Sequence, residues 1–84
     1  MLNVYCFKNV RVGFYENPFY SAIPKEGIIV EVTRALMLDK EKAKQSHREE
    51  CELYYLGQFD DQRGVFALED DKEFLIDCAP IFKE

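Results

Sequence analysis

The sequence predicts an α+β fold: a small, mostly antiparallel sheet of about four strands with one helix packed on a face. Three observations carry this expectation. Apolar residues alternate in the first dozen positions, recur at helical spacing around residues 28–36, and alternate again from residue 52. Clusters of turn-forming residues stand at Glu16-Asn17-Pro18, at Asp60-Asp61-Gln62-Arg63-Gly64 and at Asp70-Asp71-Lys72. The chain has 84 residues, 48% of them hydrophobic with seven Phe and five Tyr, which is enough for one core and too few for two. Residues 1–84 therefore read as a single domain.

The first strand is expected near residues 2–12. Leu2, Val4, Cys6, Val10, Val12 and Phe14 share one parity, broken by Lys8, and Asn3, Tyr5, Phe7, Asn9 and Arg11 take the other. The strand is expected to bend near Gly13. Asn17 before Pro18 marks a turn, after which Phe19-Tyr20 is a short extended piece ended by Ile23-Pro24. Next, Ile28, Val32, Ala35 and Leu36 follow helical spacing, as do Ile29, Val32 and Leu36. The β-branched Ile28-Ile29-Val30 and Val32-Thr33 pull toward a strand, but the helix formers Arg34 to Leu38 and Lys40 to Gln45 outweigh them. The helix is expected to begin within residues 26–31, to cover residues 32–38 and to fray within residues 38–46. A meander follows. Its strands are expected near residues 52–59, with Leu53, Tyr55 and Phe59 on one face, near 65–69, and near 73–78, with Phe74, Ile76 and Cys78 on one face. Turns at residues 60–64, ending in Gly64, and at residues 70–72 join them.

Several function classes are disfavoured by composition. No apolar run approaches the roughly 20 residues that span a bilayer. Residues 1–7 lack a basic leader and are cut off by Lys8, so no signal peptide is expected. Cys6, Cys51 and Cys78 are odd in number and lack close pair spacing. That favours reduced, buried thiols over a disulfide framework or a structural zinc site. His47 and Cys51 are four apart, a spacing that on a helix puts imidazole and thiol on one face, yet no third group stands by to orient the ring. The acid pairs Asp60-Asp61 and Asp70-Asp71 fall in expected turns, where Asp serves local hydrogen bonds, and lack calcium-loop spacing. The four Gly are scattered rather than gathered in a phosphate loop. The chain reads as no enzyme and as needing no cofactor or metal.

Binding has more support. The net charge of −5 is uneven. Residues 1–48 hold eight Lys or Arg against five Asp or Glu, +3, and residues 49–84 hold three against eleven, −8. That asymmetry orients a protein on a charged partner, or is a solvated acidic hairpin. Lys40, Lys42, Lys44 and Arg48, near His47, form a basic stretch that can follow a phosphate backbone or simply end a soluble helix. Tyr5 and Phe7, bordered by Asn3, Asn9 and Arg11, form either an open aromatic platform for stacking bases or a core face covered by the helix.

Taken together, the run from Val4 through Tyr-Cys-Phe-Lys-Asn-Val-Arg-Val-Gly-Phe-Tyr-Glu-Asn-Pro to Phe19, Arg34 in the helix, and the block from His47 through Arg-Glu-Glu-Cys-Glu-Leu-Tyr-Tyr-Leu-Gly-Gln-Phe-Asp-Asp-Gln-Arg to Gly64 resemble the small non-structural protein of gokushovirus-type microviruses. The likeness spans most of residues 2–66. It departs at Arg48 and Cys51, where that family tends to carry Pro and an aromatic residue. The resemblance implies a bacteriophage protein of the host bacterial cytoplasm that binds single-stranded DNA in the switch to genome single-strand synthesis and packaging. It carries over Tyr5, Phe7, Arg11, Arg34 and His47 as contacts, while Lys40, Lys42, Lys44 and Arg48 rest on charge. Weak, salt-sensitive single-strand binding and a homo-oligomer, a dimer first, are the expected partnerships. The alternatives are an acidic protein–protein adaptor or a DNA mimic, docking on a phage or host protein through Asp60, Asp61, Glu69, Asp70, Asp71 and Glu73.

Overall fold

A computed structural model describes residues 1–38 and 51–78 of the chain. Within them run β1 (Leu2–Asn9), β2 (Phe14–Tyr15), β3 (Phe19–Ser21), α1 (Lys25–Leu38), β4 (Cys51–Asp60) and β5 (Val65–Asp77). The sheet is antiparallel in the order β2-β1-β4-β5, and β3 also pairs with β1, beside its first half. One helix on a largely antiparallel sheet is the expected fold class.

Two hairpin turns use one device. Asn9 Oδ1 accepts the N–H of Arg11 at 3.1 Å and of Val12 at 3.4 Å, and the Gly13 N–H donates to the Asn9 carbonyl at 2.9 Å. Asp60 Oδ1 likewise accepts from Gln62 at 3.0 Å and Arg63 at 3.1 Å, with Gly64 N–H closing on the Asp60 carbonyl at 2.7 Å. Gly13 and Gly64 take the positive φ that ends each turn, 77° and 70°. The expected turn at residues 60–64 is therefore present. Residues 10–12, expected as strand, form a turn with Gly13 instead, because the Asn9 side chain offers the Arg11 and Val12 N–H groups a local acceptor that competes with a ladder.

The helix begins at Lys25, one residue ahead of the expected window, directly after Pro24, whose missing N–H costs nothing at a helix start. Ile28 and Val32 are buried with Tyr5, Cys51, Leu53, Tyr55 and Cys78. Phe7, Phe19, Ile23, Ile29, Leu36, Leu75 and Ile76 pack around them. Burial of this stripe overrides the strand preference of its β-branched residues. The connection into the helix is pinned from the sheet. Tyr5 hydroxyl and Asn3 Nδ2 both donate to the Ile23 carbonyl, at 2.6 and 3.0 Å. Lys25 Nζ meets Glu73 Oε1 at 3.0 Å, tying the helix start to β5.

Both ladders slip beside Gly57. Val4 pairs with Gly57 but Tyr5 with Tyr55, leaving Leu56 as an extra residue against β1. Across β4, Tyr55 pairs with Glu73 and Gly57 with Leu68, so residues 69–72 collect between two neighbouring pairs. The turn expected at residues 70–72 is thus a wide bulge inside one continuous strand, β5. A further slip puts Leu53 opposite Ile76 but Tyr54 opposite Phe74. A shift by one residue moves a side chain to the other face. Phe59, expected beside Leu53 and Tyr55, consequently shares a face with Leu2 and Phe66, and Phe74, expected beside Ile76 and Cys78, lies with Tyr54.

Gly57 makes the shared slip possible. It has φ 140°, and a Cβ there would stand 2.6 Å from both the Ala67 carbonyl oxygen and the Leu68 Cα. These are backbone atoms of the paired strand and cannot swing aside. Gly57→Ala is expected to destabilise the fold by about 2 kcal/mol or more, read as a lower urea midpoint. An unchanged midpoint would show that the bulge has room to relax.

Candidate functional site

Among the described residues, the sheet has one face under the helix and one face free of it. On the helix side, Tyr5 is fully buried, and its ring lies 5.7 Å from both Phe19 and Tyr55. Phe7 is half-buried against the core and stacks on Phe19 at 5.5 Å. Of the two sequence readings of this pair, the structure realises the covered core: Tyr5 presents no open ring face. The physical reason is the anchoring of the β3–α1 connection through the Tyr5 hydroxyl, which brings the helix over this side.

The remaining expected contacts are scattered. Arg11 is exposed in the β1–β2 turn. Arg34 is exposed on the outward side of α1, where its guanidinium is 3.9 Å from Glu31, and it borders an apolar depression formed by Ile29, Val30, Thr33 and Met37. Lys40, Lys42, Lys44, His47 and Arg48 lie outside the described residues. The described members, Tyr5, Phe7, Arg11 and Arg34, do not converge.

The helix-free face carries a different set. Register places Leu2, Val4, Cys6 and Lys8 of β1 on it, beside Tyr15, Tyr20, Tyr54, Phe59, Phe66, Leu68 and Phe74. Their rings form two groups. Phe59 lies 5.9 Å from Tyr20 and 4.8 Å from Phe66. Tyr54 meets Tyr15 at 5.7 Å and Phe74 at 5.8 Å, both edge to face. Four of these rings are open to solvent, with exposures of 41% for Tyr15, 46% for Tyr20, 54% for Phe66 and 50% for Phe74. Between the two groups, Val4 and Cys6 form a buried apolar floor.

Two cations attend the second group. Lys72 Nζ lies 5.2 Å from the Tyr15 ring centre and 5.8 Å from that of Tyr54, and Lys8 Nζ is 5.3 Å from Tyr15. A hydrogen bond with Tyr15 raises the Lys72 pKa, so the ammonium is charged at neutral pH. The bulge at residues 69–72 is what carries this lysine to the sheet face. Glu52 is the opposing charge: it pairs with Lys8 in register and accepts a 2.8 Å hydrogen bond from the Tyr54 hydroxyl. That bond, with desolvation and the carboxylate charge, pushes Tyr54 up to about 12.

Solvent-exposed flat rings with ammonium groups close by can stack planar partners and hold anions. Among the described residues no group of three or more His, Cys, Asp and Glu is placed to hold a metal ion. Simple alternation places Phe59 and Phe74 on the helix side and so conceals this face in the sequence. The signal that was there is the alternation of Tyr54 with Leu53 and Tyr55, since a strand facing two apolar sides must turn one of them away from the helix.

A family model described as Phage ORF5 protein matches residues 2–81. No curated protein and no solved structure matches the chain.

Tyr54 makes the fold sensitive to alkaline pH. Its folded pKa is raised above the ordinary tyrosine value near 10, so its contribution to stability is complete below about pH 10 and is lost as pH rises toward about 12. In an alkaline absorbance titration, Tyr54→Phe should remove a late tyrosinate step near pH 12, and Glu52→Gln should move that step down. A late step unaffected by either substitution would assign it elsewhere.

Proposed function

The chain belongs to the Phage ORF5 protein family, and from that premise we propose that this phage protein binds single-stranded DNA across the helix-free face of its sheet. The observation that carries the reading is the row of solvent-open rings, Tyr15, Tyr20, Phe66 and Phe74, with Lys8 and Lys72 among them. Sequence-tolerant single-strand binders combine these parts: stacked bases, each worth about 1–3 kcal/mol, and cations on the backbone. Duplex bases are already stacked on one another and offer no free faces to such a platform. The proposed role is in the switch to genome single-strand synthesis and packaging, as binding rather than catalysis.

Charge limits the affinity. With a net charge of −5 the protein repels a polyanion at long range, so binding is weak and depends on short-range stacking and local lysines. The basic residues Lys40, Lys42, Lys44 and Arg48 would add to the phosphate contacts. Self-association into a dimer belongs to the same proposal; its support is the exposure of Phe14, Val30 and Met37 elsewhere on the surface. A second reading, docking on a basic protein, is favoured by the exposed acids Glu69, Asp70, Asp71, Glu73 and Asp77 along β5. No described helix is long and apolar enough to cross a membrane.

Titration with labelled single-stranded and duplex DNA at low and moderate salt tests the proposal. Single strands should bind more tightly. Phe66→Ala should weaken binding at least about fivefold at every salt concentration. Lys72→Ala should also reduce the salt slope by about 0.7, the share of one phosphate on a single strand. Tyr5→Phe, which touches only the core face, should leave affinity unchanged in folded protein while lowering stability by about 1 kcal/mol through loss of the Ile23 hydrogen bond. Absence of single-strand binding at low salt by folded protein would transfer the reading to a protein partner. A strictly monomeric mass in sedimentation at tens of micromolar would remove the dimer.

A further inference from the structure

Two of the three cysteines are brought together by the register of β4 and β5. Glu52 pairs with Asp77, and the next step of that ladder sets Cys51 opposite Cys78, with the Cys78 N–H donating to the Cys51 carbonyl at 2.8 Å. Directly opposed residues project to the same face, and both side chains are buried in the core cluster under the helix. The Cys51 thiol is held protonated by a hydrogen bond with the Cys78 sulfur and by burial. A hydrogen-bonded antiparallel pair has its Cα atoms about 5.5 Å apart, inside the range of about 4.4–6.8 Å that a disulfide spans. Cys6 lies on the other face of the sheet, in register with Tyr54. The Cys51 and Cys78 sulfurs are in hydrogen-bonding contact, and the sheet separates them from Cys6.

We propose that Cys51 and Cys78 are a redox modification site: a cross-strand pair that closes to an intrachain disulfide by exchange with a small-molecule disulfide. In the first step, the thiolate of one cysteine attacks a sulfur of the oxidant, R–S–S–R. Its S–S bond breaks, one R–S⁻ leaves, and a protein–S–S–R mixed disulfide remains. The second cysteine's thiolate then attacks the protein sulfur of that bond, expels the second R–S⁻ and forms the Cys51–Cys78 bond. The two thiol protons end on the two released thiolates, and two electrons pass from the protein to the oxidant. Because the thiolate is the nucleophile and both thiols are buried, closure is slow at neutral pH and quickens as pH rises. The bond locks the open end of the β4–β5 hairpin, where the chain enters β4 and leaves β5, and removes conformational freedom from the unfolded chain between them.

The test uses the full reduced chain under native conditions with oxidised glutathione as the probe. Thiols titrated after denaturation should fall from the three free cysteines to one, intact mass should drop by two hydrogens, and peptide mapping should join Cys51 to Cys78. Dithiothreitol should restore all three. A Cys6→Ser chain should form the same link and retain no free thiol, whereas a Cys51→Ser chain should form no intrachain bond. Three persisting thiols, a stable glutathione adduct without closure, or a link made through Cys6 or between two chains would each overturn the assignment. The readout is covalent and independent of nucleic-acid binding.

Discussion

The close approach of β5 to Gly57 is the constraint on which the rest of the structure depends. At this point β4 must pair with β1 on one side and β5 on the other while both ladders change register. Only a residue without a side chain lets the Ala67 and Leu68 backbone come that near. The slip at Leu56 then turns Phe59 away from the helix, and the gathering of residues 69–72 lets Lys72 reach Tyr15 and Tyr54. An uninterrupted β4 would place Phe59 beside Leu53 and Tyr55 and leave the helix-free face with fewer rings.

The two faces of the sheet divide the aromatic residues by task. Under the helix, Tyr5, Tyr55, Phe7 and Phe19 interlock, and the Tyr5 hydroxyl satisfies a backbone carbonyl at the point where the chain enters α1. That anchoring settles which side the helix covers. The opposite face keeps rings that meet edge to face while Tyr15, Tyr20, Phe66 and Phe74 stay about half exposed. Such a surface is costly to leave in water, since exposed aromatic area gains most from being covered.

Acidic residues bear on that surface from the side. In the described sheet β5 is an end strand, paired only with β4, and its residues 65–74 are all exposed. A long free strand edge invites pairing with another chain. Here the edge is interrupted by the bulge and carries Glu69, Asp70, Asp71 and Glu73, so like charges oppose a second β5 along it. The same acids depress the local attraction for a polyanion.

Much of this was determined by the sequence alone. Helical spacing at Ile28, Val32 and Leu36 placed the helix, alternation placed β1 and the hairpin of β4 and β5, and Asp60 with Gly64 specified the turn between them. The shared Asn9–Gly13 and Asp60–Gly64 spacing also encodes the first hairpin, where alternation through Val10 and Val12 concealed it. Only the tertiary structure decided which side of the sheet the helix covers and which rings therefore stay open. Alternation assigns faces only along an uninterrupted ladder, and each bulge reverses the assignment beyond it. Whether a bulge forms at Leu56 or Leu75 depends on how two neighbouring strands fit a third, information held in no single segment. Phe59 and Phe74 were misassigned for that reason, and the pairing of Cys51 with Cys78, residues 27 positions apart in the chain, became visible only once β4 and β5 were in register.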